Sequence, residues 1–199
     1  VAFSPDGRIL ASTEILDHRA SPSDAVVRLW DAATARQLGK PLALAAPGYV
    51  PSSLDFSPDG RLLAAATLVD DLGNPGVLRV WDVAQRQPLG EGTTAESGGV
   101  TAVAFSQDGR TLVSGADRVR TWSWSRARGL FERPGNPFKA TVQASDVAVG
   151  PRGSLVALGA DGSVRVSSFT RAWTLGEPLT GGASASAATR VPSRMPAVS

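Results

Sequence analysis

Short apolar or alternating runs, each closed by a cluster of Pro, Asp or Gly, recur along this chain and predict strands joined by tight turns. First strands are expected at residues 1–4, 53–57, 100–106 and 146–150, and second strands at 8–12, 61–67, 110–115 and 154–159. Third strands alternate most clearly, at 26–31, 77–82, 118–123 and 163–168. Irregular fourth strands follow at 37–42, 87–90, 129–131 or 138–142, and 172–179. Between first and second strands stand Ser4-Pro5-Asp6-Gly7-Arg8, Ser57-Pro58-Asp59-Gly60-Arg61 and Ser106-Gln107-Asp108-Gly109-Arg110. Asp-Gly supplies the positive φ that a hairpin loop requires, and Pro5 and Pro58 preset the preceding turn position. Third strands close on Trp30-Asp31, Trp81-Asp82, Trp122-Ser123 and, in the last unit, Ser167-Ser168. Small sheets repeated in this way bury their apolar faces only by stacking, so the expected architecture is all-β, with four antiparallel strands repeated four times.

Spacing shows where the repeats differ. Phe3 precedes Trp30 by 27 residues and Phe56 precedes Trp81 by 25, whereas Phe105 precedes Trp122 by only 17. The extra residues fall between second and third strands, at 13–25 and 68–76, and they are rich in Asp, Ser and Pro. Insertions on one face of a repeat array often mark its binding face.

Composition narrows the function classes. The chain has 199 residues, 42% of them apolar, enough for a sizeable core and without the run of about 20 apolar residues that a spanning helix needs. Membrane insertion is therefore not expected. Cysteine is absent, which excludes disulfides and thiolate metal sites and fits a reducing, cytoplasmic setting. The first residue is Val1 and the single Met is Met195, so the chain reads as a piece of a longer protein. The net charge of +2 lies in the tail, where Arg190 and Arg194 have no acidic counterpart, and the remainder balances. Such a balance gives little of the phosphate attraction that nucleic-acid binding requires. Residues 180–199 are small or Pro-containing and lack aromatics, a composition that predicts disorder.

These units resemble WD40 repeats, whose signature is a Trp-Asp at the end of a strand and a period of about 40–45 residues. The resemblance covers residues 1–179, with blades at about 1–44, 45–91, 92–142 and 143–179. It implies a segment of a β-propeller, four four-stranded antiparallel blades belonging to a larger ring, with the first strand of each blade innermost. Because seven blades are usual in the family, further blades are expected on the N-terminal side, in a longer parent protein. The family often carries a Gly-His dipeptide whose His joins a hydrogen-bonded set with Ser or Thr, Trp and Asp. No such His is present, so Ser114, Asp117 and Trp122 are expected to form at most part of that set.

Arg28, Arg79 and Arg120 share strand parity with Trp30, Trp81 and Trp122, which suits either a stacking ladder for single-stranded nucleic acid or Arg packed over Trp between blades. Repetition from blade to blade favours packing, contributing roughly 0.5–2 kcal/mol per pair. His18, beside Asp17 and Arg19, is one ring where a zinc site wants three or four ligands. Asp70-Asp71-Leu72-Gly73-Asn74 lacks the alternating spacing of a calcium loop and reads as a turn. No nucleophile elbow, phosphate-binding loop or His-Glu-x-x-His motif occurs, so no catalytic residue, metal or cofactor is expected.

What remains is a surface. In the family's architecture, second-to-third-strand loops and inter-blade loops emerge together, which would gather Leu16, His18, Arg19, Tyr49, Val69, Asp70, Asp71 and Leu72. Tyr and Arg often anchor interfaces, although neutral drift in exposed loops would leave the same pattern. The resemblance thus implies a non-catalytic scaffold that docks other proteins or other domains of the parent chain. The alternative is an accessory region of a larger bacterial signalling kinase, NTPase or protease, since the Ala-, Arg- and Gly-rich composition resembles bacterial proteins of that design.

Overall fold

A computed structural model describes residues 1–18, 21–45, 49–68, 75–90, 92–94, 99–125, 129–132 and 143–168. The described strands form four antiparallel sheets in chain order. Sheet one contains β1 (Ala2–Phe3), β2 (Ile9–His18), β3 (Ser21–Asp31), β4 (Arg36–Gln37) and β5 (Leu42–Ala45). Sheet two contains β6 (Pro51–Phe56), β7 (Leu62–Thr67), β8 (Val77–Asp82), β9 (Gln87–Pro88) and β10 (Thr93–Thr94). β11 (Ala102–Phe105), β12 (Leu112–Gly115), β13 (Arg120–Ser125) and β14 (Gly129–Glu132) form sheet three, and β15 (Ala144–Val149), β16 (Ser154–Gly159) and β17 (Val164–Ser168) form sheet four.

The Ser-x-Asp-Gly-Arg turns work in the same way three times. Gly7, Gly60 and Gly109 adopt φ of 71, 68 and 65°, the left-handed region that costs glycine little. The Ser4 hydroxyl donates to Asp6 Oδ1 at 2.7 Å and accepts the Ile9 N–H at 2.9 Å, and the Arg8 N–H reaches the same Asp6 oxygen at 3.1 Å. Ser57 with Asp59, and Ser106 with Asp108, repeat this arrangement. The hydroxyl and backbone donors hold the carboxyls of Asp6, Asp59 and Asp108 below the usual range. Because Ser106 is buried, Ser106→Ala strips the Thr111 N–H of its acceptor, and a loss of about 1 kcal/mol is expected in urea denaturation. An unchanged midpoint would show that the turn does not need the hydroxyl.

The Trp-Asp pair ends each of the first two third strands with a second turn. Asp31 Oδ1 accepts from the Thr34 N–H and hydroxyl, both at 2.8 Å, and Asp82 Oδ1 accepts the Gln85 N–H at 2.9 Å. Those bonds hold Ala35 and Arg86 at φ of 53 and 55°. The hydrogen-bonded set expected around Trp122 forms in part: its indole donates to Ser114 Oγ at 2.8 Å, while Asp117 pairs with Arg120 at 3.3 Å. Trp30 donates to Ser12 Oγ at 2.9 Å, and in sheet two Ala65 stands at that register position.

Three apolar clusters glue the sheets face to face. Phe56, Leu63, Ala65 and Trp81 of sheet two pack on Ala11, Val27 and Leu29 of sheet one. Phe105, Leu112 and Trp122 pack on Ala64, Ala66, Leu78 and Val80, and Val147, Leu155 and Ala157 pack on Ala102, Val113 and Val119. The first two junctions set a Phe, a Leu and a Trp of the following sheet against smaller or branched side chains of the preceding sheet. This all-β, propeller-like stack agrees with the expected fold class, and no closed ring forms among the described residues.

Several expectations need adjustment. The insertion at residues 13–25, read as a polar loop, is mostly strand: β2 and β3 continue in register from Ile9↔Asp31 to Leu16↔Asp24, with an irregularity before His18↔Ser21. Thr13, Glu14 and Ile15 alternate well enough, and Val26 and Val27 favour β structure strongly enough, for pairing to outlast the blade. The fourth strand of the first unit is split into β4 and β5, which both pair with β3. Sheet two extends to Thr94, past the boundary expected at residue 91. The expected fourth strand at residues 172–179, the alternative at 138–142 and the tail at 180–199 lie outside the described residues.

Candidate functional site

The β2–β3 extension sets the geometry of one end of the array. Ile15 pairs with Ala25, and Ala25 pairs with Ala45 at the end of β5, so the connection toward sheet two leaves at the level of the extension. That connection returns at Tyr49 and Val50 before entering β6. The Leu68 N–H donates to the Val50 carbonyl at 2.9 Å, which fixes the start of the second insertion beside it. Gly76 closes the insertion, where a Cβ would collide with the Thr67 carbonyl oxygen and crowd the Val100 nitrogen.

Of the candidate residues, Leu16 and His18 have their backbone placed on β2. Tyr49 is half-buried and packs against the first core cluster, so part of its ring serves packing. Arg19, Val69, Asp70, Asp71 and Leu72 lie outside the described residues. The structure adds Ile15, Val50 and Leu68, large apolar side chains that are exposed at this end. Strand parity offers a signal for Ile15, because it continues the Ala11 face of β2 beyond the core cluster in which Ala11 is buried. Val50 and Leu68 could not be read from sequence, since their exposure depends on how two connections meet.

The Arg–Trp ladder is used internally. Arg28 pairs with Glu14 and donates to Gln37 Oε1 at 2.6 Å, and Arg79 donates across a junction to the Ala43 carbonyl at 3.0 Å. Arg120 is buried and paired with Asp117. These guanidinium groups therefore bond within their own blades and, at Arg79, to the preceding one.

The inner strands carry one perturbed carboxyl. Asp55 on β6 accepts the Phe105 N–H of β11 at 2.6 Å, and burial pushes its pKa up to about 6 despite hydrogen bonds from Phe105 and Phe56 that pull it down. Beside it, Ser53 Oγ accepts the Val103 N–H at 3.1 Å. Both contacts tie adjacent inner strands together. Among the described residues, no group of three or more His, Cys, Asp or Glu could hold a metal ion, and no helix is long and apolar enough to cross a membrane.

Comparison with known proteins agrees with the repeat geometry. No curated protein matches the chain. The family model WD40, described as WD domain, G-beta repeat, matches residues 1–31, 44–82 and 87–119. Those segments fall on sheets one to three, and sheet four, which has Ser167 at the Trp position, repeats the same register outside the match. WD40 repeats generally act as protein-interaction scaffolds and typically bind other proteins. With matches over more than half of its length and three sheets built on the same turns, the chain belongs to the WD40 repeat family.

Proposed function

We propose that this chain is a non-catalytic scaffold that docks another protein, or another domain of a parent chain, at the end bearing the β2–β3 extension. The exposure of Ile15, Val50 and Leu68 at that end carries the reading, because the hydrogen bond from Leu68 to Val50 holds two of them side by side. Leu16, His18, Arg19, Val69, Asp70, Asp71 and Leu72 would supply the polar and apolar rim, with Tyr49 offering its unburied edge. A cytoplasmic setting fits the absence of cysteine. Neither nucleic acid nor a membrane is needed as partner, given the balanced charge and the internal use of the arginines.

Two double variants test the reading, Ile15→Asp with Leu68→Asp and Arg19→Ala with Asp71→Ala. Affinity capture from cell extract, quantified by mass spectrometry, should lose specific partners by about tenfold or more in the first pair. The melting profile is the control for folding, because Ile15 and Leu68 are 44% and 37% exposed. Recovery of partners at the wild-type level by both double variants would remove this end as the docking surface. Hydrolytic activity intrinsic to residues 1–199 would overturn the non-catalytic assignment.

A further inference from the structure

The inner strands of sheets two and three are zipped together by side chains of β6. The Ser52 hydroxyl donates to the Val100 carbonyl at 2.5 Å, Ser53 Oγ accepts the Val103 N–H at 3.1 Å, and Asp55 Oδ2 accepts the Phe105 N–H at 2.6 Å. Donors alternate along an antiparallel strand, and Ser106 donates to Thr111 in its own sheet, so the N–H groups of Val103 and Phe105 point away from β12. Side chains of the preceding sheet satisfy them. Val100 donates in turn to the Thr67 carbonyl at 2.9 Å, beside Leu68, so the zip runs to the end that bears the β2–β3 extension.

The carboxyl is peculiar to this seam. Asp55, paired with Ala64, holds the register position that Ala2, Ala104 and Ala148 hold in sheets one, three and four. An alanine would offer the Phe105 N–H no acceptor; the aspartate supplies one and buries a charge in doing so. No titratable side chain stands on β1, β7 or β11, which pack against β6. On β2, which also packs there, Glu14 is paired with Arg28, and Asp17 and His18 belong to the part that outlasts the blade. Asp59 and Asp108, in the turns after β6 and β11, are held by Ser57 and Ser106 and by the Arg61 and Arg110 N–H groups.

We propose that the β6–β11 seam is a pH-sensitive latch: with Asp55 protonated the two inner strands stay zipped, and with Asp55 ionised the seam opens more often to hydrate the carboxylate. It needs no docked partner. Burial, set against the bonds from Phe105 and Phe56, gives the closed seam a carboxyl raised from 3.8 to about 6, so closure binds the proton more tightly than the open seam does. That contribution to closure is complete below about pH 4 and lost as pH rises through about 6. From about pH 5 to about pH 8 the opening equilibrium should rise by about tenfold.

Amide hydrogen exchange of residues 1–199, followed by NMR over that range and divided by the intrinsic exchange rate, tests the latch. The Phe105 and Val103 amides should show the tenfold rise, exchange faster than the slowest amides of the chain, and respond little to low urea, the mark of local opening. Asp55→Asn keeps an acceptor and removes the charge, so the pH dependence at both amides should vanish. Ser53→Ala leaves Asp55 in place; it should speed Val103 exchange at every pH and retain the pH dependence at Phe105, which keeps the test open if Asp55→Asn does not fold. Opening of the seam that is the same at both ends of the pH range overturns the latch. So does exchange of Phe105 and Val103 with the protection and urea response of the slowest amides, which assigns it to global unfolding. A pH dependence that survives Asp55→Asn overturns Asp55 as the titrating group.

Discussion

Replacing Trp81 with alanine is expected to cost about 3–5 kcal/mol of stability, the range for deleting a large aromatic from a packed core. Trp81 is 1% exposed and sits in the cluster that joins sheets one and two. Its loss opens a cavity against Ala11, Val27 and Leu29, and rigid strands on both sides limit collapse into it. Trp30→Ala, at the same register position of sheet one, should cost clearly less in residues 1–199, because Trp30 is half-buried where Trp81 is 1% exposed. Guanidinium denaturation of both variants at low protein concentration gives the comparison. Equal losses would mean that the Trp contributes through its own sheet, by bonds such as Trp30 to Ser12, and that junction packing contributes little.

Asp55→Asn is expected to raise stability at pH 7 by about 2 kcal/mol and to leave it almost unchanged near pH 4. The folded state pushes the Asp55 carboxyl up from 3.8 to about 6, so the native state binds this proton more tightly than the unfolded chain does. Protonation then favours folding, and that contribution is fully present below pH 4 and lost as pH rises through about 6. At neutral pH the protein folds with a charge it has partly desolvated. Asparagine keeps an oxygen acceptor for the Phe105 N–H and removes the charge, so the gain should appear only above the transition. The carboxyls of Asp6, Asp59 and Asp108 are held low and act with the opposite sign, stabilising above about pH 4 and losing that effect as acid protonates them. They cancel in the difference between variant and wild type. Urea titrations at pH 4 and pH 7 test this, and a pH-independent gain would point to packing at the inner strands in place of charge.

Much of the fold was legible because it is local. A Ser, an Asp and a Gly within five residues carry every hydrogen bond of the first turn, and Asp31 with Thr34 carries those of the second. Less legible was the extension: its Asp, Ser and Pro content suggested a loop, whereas pairing with the opposite strand overrode composition out to His18↔Ser21. Of the candidate surface, the described residues place the backbone of Leu16 and His18 on β2 and the half-buried Tyr49. Tyr49 proved to be partly a core residue, and Val50 and Leu68 became visible only when the Leu68 N–H was found on the Val50 carbonyl.

By itself, then, the chain's pattern determined the strands, the turns, the repeat and the family, since each depends on residues a few positions apart and recurs until it is unmistakable. The tertiary structure alone decided which Phe–Leu–Trp faces are covered, that Arg79 crosses a junction while Arg28 stays in its own sheet, and that Asp55 lies beneath the next inner strand with its carboxyl pushed up to about 6. Those outcomes depend on which surfaces meet across about 50 residues of chain, as between Asp55 and Phe105, and burial of that kind is a property of two sheets together.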